Sequence, residues 1–174
     1  MMKKQLFAAL ALGSFLTLPA EVAEVNGQFK LDDKGEVAGW KFQSPAKTPG
    51  AMEVVPGEPN AVKITAAEKS NATFSGPGVP AKIGDKIKLS ANVNPGEYAM
   101  LGLYLHNAKG GYISSLQRAV NSAPADGKVT IELTVVDPTK KGFVIAKVIP
   151  FLRVYNGRST TFKDFALEIT PVAE

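Results

Sequence analysis

The sequence contains no cysteine, and this absence excludes several kinds of site. A chain without cysteine has no disulfide, no thiol nucleophile and no zinc–thiolate centre. It also has one histidine, His106, so the usual transition-metal sites, which need several nitrogen or sulfur ligands, are excluded as well. The fold must therefore be held by buried apolar surface or by a metal with oxygen ligands.

Concentrated basic patches are also missing. The 174 residues include 20 Lys and Arg against 16 Asp and Glu, which gives a formal net charge of +4. Two of these lysines, Lys3 and Lys4, stand at the N-terminus, and their removal lowers the charge to +2. Because a nucleic-acid interface needs clustered Lys and Arg, nucleic acid is not expected as a partner.

One long apolar run is present, at the N-terminus, where Lys3 and Lys4 precede the apolar stretch Leu6–Leu18. Small residues, Ala20 and Ala23, follow it. This order is typical of a secretory signal peptide, and the run is too short to span a bilayer. We expect cleavage after Ala20, with Ala23 as the alternative, and an exported protein in the periplasm or outside the cell. No second apolar run follows, so no membrane span is expected in the mature chain.

Residues 21–174 are predicted to form a single all-β domain. Short segments of alternating apolar and polar residues recur about every ten residues, separated by Gly, Pro, Asn and Asp. The clearest are Asp85–Asn94 and Lys128–Val135, and residues 26–31 are predicted as the first strand. The pattern predicts an antiparallel β-sandwich of jelly-roll type with about eight to ten strands.

Two further strands carry unusual side chains opposite their core face. In residues 98–106, leucines alternate with Tyr104 and His106; in residues 149–155, Leu152 and Val154 suit the core. Aromatic rings stack on sugar rings, and arginine offers fixed donors to hydroxyl groups. We therefore predict a ligand-binding face formed by Tyr104, His106, Phe151, Arg153 and Tyr155.

An alternative for the same residues is that the aromatic side chains fill the sheet edges while Arg153 pairs with Glu132 or Asp164. The choice depends on register, because a shift of one residue exchanges the two faces of a strand.

Short motifs frame the chain and carry a family resemblance. Asn26-Gly27-Gln28-Phe29 and Gly39-Trp40 stand near the start, Lys86–Ala91 in the middle, and Asp164-Phe165-Ala166-Leu167-Glu168 near the end. Together they resemble the galactose-binding-like jelly roll of carbohydrate-binding modules of families 4, 9 and 22. The resemblance implies adjacent first and last strands, Trp40 in the core, and an oligo- or polysaccharide bound on a concave sheet face. It also implies a structural calcium ion at Asp164, with Asp32 or Asp33.

No catalytic motif accompanies this resemblance. A G-x-S-x-G nucleophile elbow is absent from the sequence, and no clear pair of acids suggests glycoside hydrolysis. We therefore expect a non-catalytic carbohydrate-binding protein. The alternative is a structural or protein-interaction component of the cell envelope or surface, because aromatic residues and arginine also dominate protein–protein hot spots.

Overall fold

The computed structural model describes residues 21–22, 25, 27–45, 47–58, 60–94, 98–120, 126–136 and 143–172. The predicted signal peptide, residues 1–20, lies outside these ranges, so export and the cleavage site stay predictions.

The described residues form twelve strands, more than the predicted eight to ten. Two of the twelve contain only two residues each. Their bounds are β1 Glu21–Val22, β2 Lys41–Gln43, β3 Ala51–Val54, β4 Ala61–Thr65, β5 Asn71–Ser75, β6 Val79–Pro80, β7 Lys86–Val93, β8 Ala99–His106, β9 Tyr112–Ala119, β10 Lys128–Thr134, β11 Lys147–Tyr155 and β12 Ser159–Thr170.

These strands form two antiparallel sheets that pack as a sandwich. In the first sheet the order is β10-β7-β12-β4-β3, with β1 added on β12. The second sheet has the order β2-β5-β11-β8-β9, with β6 added on β11. The predicted antiparallel β-sandwich is confirmed. The part of the chain that the structure describes contains no helix long and apolar enough to cross a membrane.

The core lies between the sheets and follows the predicted alternation. Along β7, the apolar residues Ile87, Leu89, Ala91 and Val93 are buried, while Lys86 and Lys88, at the alternate positions, are exposed. The same rule holds on β8, whose core-facing residues Ala99, Leu101, Leu103 and Leu105 are buried. Period-two burial therefore follows from the sequence wherever one face of a strand meets the core.

An aromatic cluster joins the N-terminal segment to the middle of β12. Trp40 is 6% exposed, donates its Nε1–H to the carbonyl of Val25 at 2.7 Å, and stacks on Phe74 with ring centroids 4.7 Å apart. Phe29 and Phe165 also pack against the indole ring. Trp40 thus occupies the core, as the resemblance implied.

The predicted first strand, residues 26–31, is wrong in the described residues. Phe29 has a φ of 47°, outside the extended region, and Leu31 forms only an isolated bridge with Val37. The departure from an extended backbone brings the Phe29 ring into the aromatic cluster, where it is fully buried. Asn26 lies outside the described residues. The N-terminal neighbour of β12 is instead β1, which pairs with Glu168 and Ile169.

Candidate functional site

Strand register brings the five predicted ligand-binding residues to one side of the second sheet. On β11 and β8, Phe151 pairs with Gly102, Arg153 with Met100, and Ile149 with Tyr104. Residues that are directly opposite in neighbouring strands point to the same side. Tyr104, His106, Phe151, Arg153 and Tyr155 therefore share the side that faces away from the core.

All four tyrosines of the chain lie on or beside this outward side. We call this surface the tyrosine face; its tyrosines are Tyr98, Tyr104, Tyr112 and Tyr155. Tyr98 and Tyr155 contact edge to face with centroids 6.0 Å apart, and Tyr104 and Tyr112 do so at 6.2 Å. Tyr98 is 43% exposed and Tyr112 is 61% exposed, so these two rings are the most accessible aromatic surfaces of the face.

Phe151 lies at the centre of the tyrosine face but is fully buried. The ring of Tyr104 stacks on it at 4.2 Å between centroids, and the guanidinium carbon of Arg153 lies 4.8 Å from its centroid. Space for the phenyl ring comes from Gly102, where an added Cβ would lie only 2.2 Å from Phe151 Cζ. Phe151 therefore supports Tyr104 and Arg153 from below and has no surface of its own to offer a ligand.

Arg153 is held by hydroxyl groups. Its Nε–H donates to Thr73 Oγ1 at 2.9 Å, one Nη donates to the hydroxyl of Tyr155 at 3.4 Å, and the other Nη donates to the hydroxyl of Tyr104. The Tyr155 hydroxyl in turn donates to Met100 Sδ at 3.2 Å. Two side chains from other strands thus fix the guanidinium group in one orientation.

The alternative pairing of Arg153 with Glu132 or Asp164 is not formed. Glu132 and Asp164 belong to β10 and β12, which are strands of the other sheet. In the described part of the chain, the ion pairs join Lys63 to Glu53 and Lys163 to Glu58, and neither includes Arg153.

His106 lies at the end of β8, where a hairpin turns into β9. Its Nδ1 is 2.9 Å from the carbonyl oxygen of Gly110, and because a carbonyl only accepts, Nδ1 carries the hydrogen. Its ring contacts Tyr112 edge to face at 6.0 Å. A register shift between Leu105 and His106 places Tyr112 opposite His106. His106 thus supports the exposed Tyr112 ring and keeps Nε2 available.

The acids that the resemblance assigns to calcium do not form a ligand cluster in the described residues. Asp164, at the bulge of β12, accepts a hydrogen bond from Asn92 Nδ2 at 2.8 Å. Asp32 Oδ1 accepts the amides of Lys34 and Glu36 within its own turn, next to exposed Asp33. No group of three or more His, Cys, Asp or Glu is found there, whereas calcium takes about six to eight oxygen ligands. These residues alone do not fit the ion, and calcium stays a prediction.

The sequence reasoning did not place Thr73 or Tyr112 on the predicted binding face. Thr73, on β5, is invisible as a partner of Arg153 because 80 positions separate them. Tyr112 follows the Gly110-Gly111 turn, but β9 alternates too weakly to predict its side. The two glycines directly before Tyr112 are the one local signal: they indicate a hairpin turn and therefore a strand that begins at Tyr112.

A second surface, on the first sheet, contrasts with the tyrosine face. A shallow cavity of about 320 Å³ on the outward side of this sheet is lined by Lys86, Ile87, Lys88, Glu132, Leu133, Thr134, Glu168 and Thr170. It contains no aromatic side chain. We favour the tyrosine face as the functional surface because it joins accessible rings to a positioned arginine.

Comparisons with known proteins support the fold. No protein-family model matches the chain, and no curated protein matches it. Among solved structures, the enzymatically active domain of tailspike protein 4 of bacteriophage CBA120 aligns with a TM-score of 0.64 and 10% identity over 86% of this chain. The chain spans only 21% of that tailspike chain.

Two smaller proteins align over nearly their whole length. A cyclase from Fischerella sp. TAU has a TM-score of 0.56 and 11% identity, covering 90% of this chain and 99% of that one. The family 11 carbohydrate-binding module of a cellulosomal cellulase of Clostridium thermocellum has a TM-score of 0.51 and 13% identity, covering 90% and 98%. A family 4 module has the same TM-score. The chain therefore has the β-sandwich, jelly-roll fold of the carbohydrate-binding modules.

Proposed function

We propose that this protein is an exported, non-catalytic carbohydrate-binding protein and that the tyrosine face is its binding surface. The observation that carries the proposal is that all four tyrosines of the chain border one sheet face around a positioned arginine. Tyrosine combines a flat apolar ring with a polar tip, which suits the C–H patches and hydroxyl groups of sugars. Export is proposed from the N-terminal leader.

The tyrosine face has room for more than one sugar ring. Ile149 and Tyr155 are six positions apart on β11, which corresponds to about 20 Å along the strand, and Tyr104 lies opposite Ile149. We assign ring stacking to the exposed Tyr112 and Tyr98 and to the half-buried Tyr104 and Tyr155. The guanidinium of Arg153, together with His106 Nε2, would hydrogen-bond sugar oxygens.

Non-catalytic binding is proposed from the composition of this face. By strand register, its described residues include no aspartate or glutamate, whereas glycoside hydrolysis uses a pair of carboxyl groups. The tailspike domain and the cyclase show that the same fold also occurs in enzymes. Fold alone does not decide between binding and catalysis.

The proposal is tested by a glycan array followed by calorimetry on tyrosine variants. Stacking of an aromatic ring contributes about 0.5–1.5 kcal/mol beyond burial, so Tyr104→Ala, Tyr112→Ala and Tyr155→Ala should each raise the dissociation constant by about two- to tenfold. Lys88→Ala, on the outward side of the first sheet, is the control and should leave binding unchanged. If a glycan binds and its binding is weakened by Lys88→Ala but by none of the tyrosine substitutions, the binding site lies on the first sheet.

A protein partner is the second candidate. Three exposed apolar residues, Ile83, Val136 and Val172, lie near one end of the first sheet. They are brought together because the Gly84 amide donates to the Val135 carbonyl and the Val172 side chain packs on Gly84. Contiguous exposed apolar surface is typical of protein interfaces. Pull-downs from the native envelope distinguish the candidates: a specific protein captured by the wild type and lost in Val136→Asp, with no glycan bound, would favour this function.

A further inference from the structure

The environment of Arg153 is unusual for a half-buried cation. Its neighbours are the hydroxyl groups of Thr73, Tyr104 and Tyr155, and no carboxylate of the described residues pairs with it. Removing a charge from water is unfavourable unless an opposite charge or a full set of hydrogen bonds compensates it. Among the described residues, Arg153 therefore has hydrogen-bond partners but no opposite charge.

The groups around Arg153 offer more donors than acceptors. A guanidinium has five N–H groups, and three of them are directed to the hydroxyl oxygens named above. The Tyr104 hydroxyl accepts from Arg153, so its own hydrogen is left to donate, whereas that of Tyr155 is directed to Met100. Two guanidinium N–H groups and one phenol O–H therefore remain for a ligand. A group that only accepts hydrogen bonds suits this set better than a hydroxyl, which also donates.

The charge of the whole tyrosine face agrees with this local picture. By register, its outward side carries Lys41, Lys147 and Arg153, and its described residues include no acid. The outward side of the first sheet is different, because lysines alternate there with glutamates: Lys88 pairs with both Glu132 and Glu168, and Lys63 with Glu53. The first sheet also carries more lysines than glutamates on its outward side, so what distinguishes the tyrosine face is that none of its described residues is an acid that could neutralise its cations.

We infer that the ligand is an acidic saccharide whose oxyanion binds Arg153 and Tyr104. This inference rests on the proposed function of the tyrosine face and adds the chemical class of the ligand. A carboxylate of a uronic acid and a sulfate ester share the required chemistry, since both are planar or compact oxyanions that accept paired hydrogen bonds from arginine. The neighbouring tyrosine rings would stack on the sugar that carries the anion.

The test is calorimetry of the full mature chain with matched polymers. Polygalacturonate and its methyl ester have the same backbone and differ in charge, and dextran sulfate and dextran form the corresponding sulfate pair. We expect the charged member of one pair to bind at least about tenfold more tightly than its neutral partner, since a hydrogen bond to a charged group is worth about one tenfold step or more. Which pair responds identifies carboxylate or sulfate as the anion.

Variants then assign the effect to Arg153. Arg153→Gln should abolish the preference for the charged polymer, and Arg153→Lys should keep part of it, because lysine retains the charge but not the paired donors. Lys88→Gln is the matched control on the other sheet and should leave the preference intact. Melting curves verify that each variant is folded; if Arg153→Gln unfolds, Arg153→Lys and Lys41→Gln provide the comparison.

The outcomes separate this inference from the proposed function. Equal binding of neutral and charged polymers, weakened by Tyr112→Ala, would overturn the acidic ligand and leave carbohydrate binding in place. Binding of the charged polymers that Lys88→Gln weakens as much as Arg153→Gln would also overturn it, because the attraction would then be unspecific. If no saccharide binds, both the inference and the proposed function fail.

Discussion

Replacement of Gly102 by alanine tests the architecture of the tyrosine face directly. The added Cβ would lie 2.2 Å from Cζ of Phe151 and 2.5 Å from its Cε1, far inside van der Waals contact. Phe151 is fully buried below Tyr104 and Arg153, so its ring has no free space to enter. The substitution must therefore displace the ring or the strand, and either movement disturbs Tyr104 and Arg153.

The expected cost follows from two opposing effects. Overpacking of a buried site costs about 1–3 kcal/mol, and alanine in a strand is favoured over glycine by about 0.5–1 kcal/mol. We expect the free energy of unfolding to fall by about 1–2 kcal/mol. For a chain of this size, each kcal/mol lowers Tm by about 2–4 °C. Glycan binding should weaken as well, because Tyr104 and Arg153 lose their support.

Urea unfolding and calorimetry measure the loss of stability and of glycan binding, and Gly78→Ala is the control for stability alone. A Cβ at Gly78 would meet Cδ of Lys147 at 2.6 Å, but that flexible side chain can move aside at small cost. Gly102→Ala combined with Phe151→Leu should be less destabilised than the sum of the single variants, because the smaller side chain makes room. The reasoning is refuted if Gly102→Ala unfolds at the same urea concentration as the wild type and strict additivity holds in the double variant.

Four further predictions concern other parts of the molecule. Trp40→Phe should cost about 2–3 kcal/mol in urea unfolding, because the hydrogen bond to Val25 and part of the buried ring are lost; an unchanged midpoint would contradict this role. Asp164 has a φ of 49°, so in EDTA Asp164→Val should cost about 1–3 kcal/mol while Asp164→Asn stays close to the wild type in thermal melting. A structural calcium ion would raise Tm in calcium relative to EDTA, and Asp164→Asn would remove the increase; identical melting curves refute the ion. Intact-mass measurement of the exported protein should give a chain that begins at Glu21 and keeps β1 with its pairing to β12, and a chain that begins at Glu24 or keeps Met1 would contradict this.

The sequence by itself determined the sandwich and the two sides of its long strands. The apolar residues at every second position of β7 and β8 are buried, because a strand with one side on the core repeats every two residues and needs no distant information. The same local rule separated Tyr104 from the leucines of β8, and Arg153 from Leu152 and Val154 on β11.

Tertiary structure decided the rest, since it depends on contacts between distant residues. Phe29 leaves the predicted strand because its ring packs with Trp40 and Phe165, which no local pattern encodes. The register of β5, β11 and β8 gives Arg153 its partners Thr73 and Tyr104, which lie 80 and 49 positions away. Only that register places Arg153 and the four tyrosines, which are far apart in the sequence, on one surface.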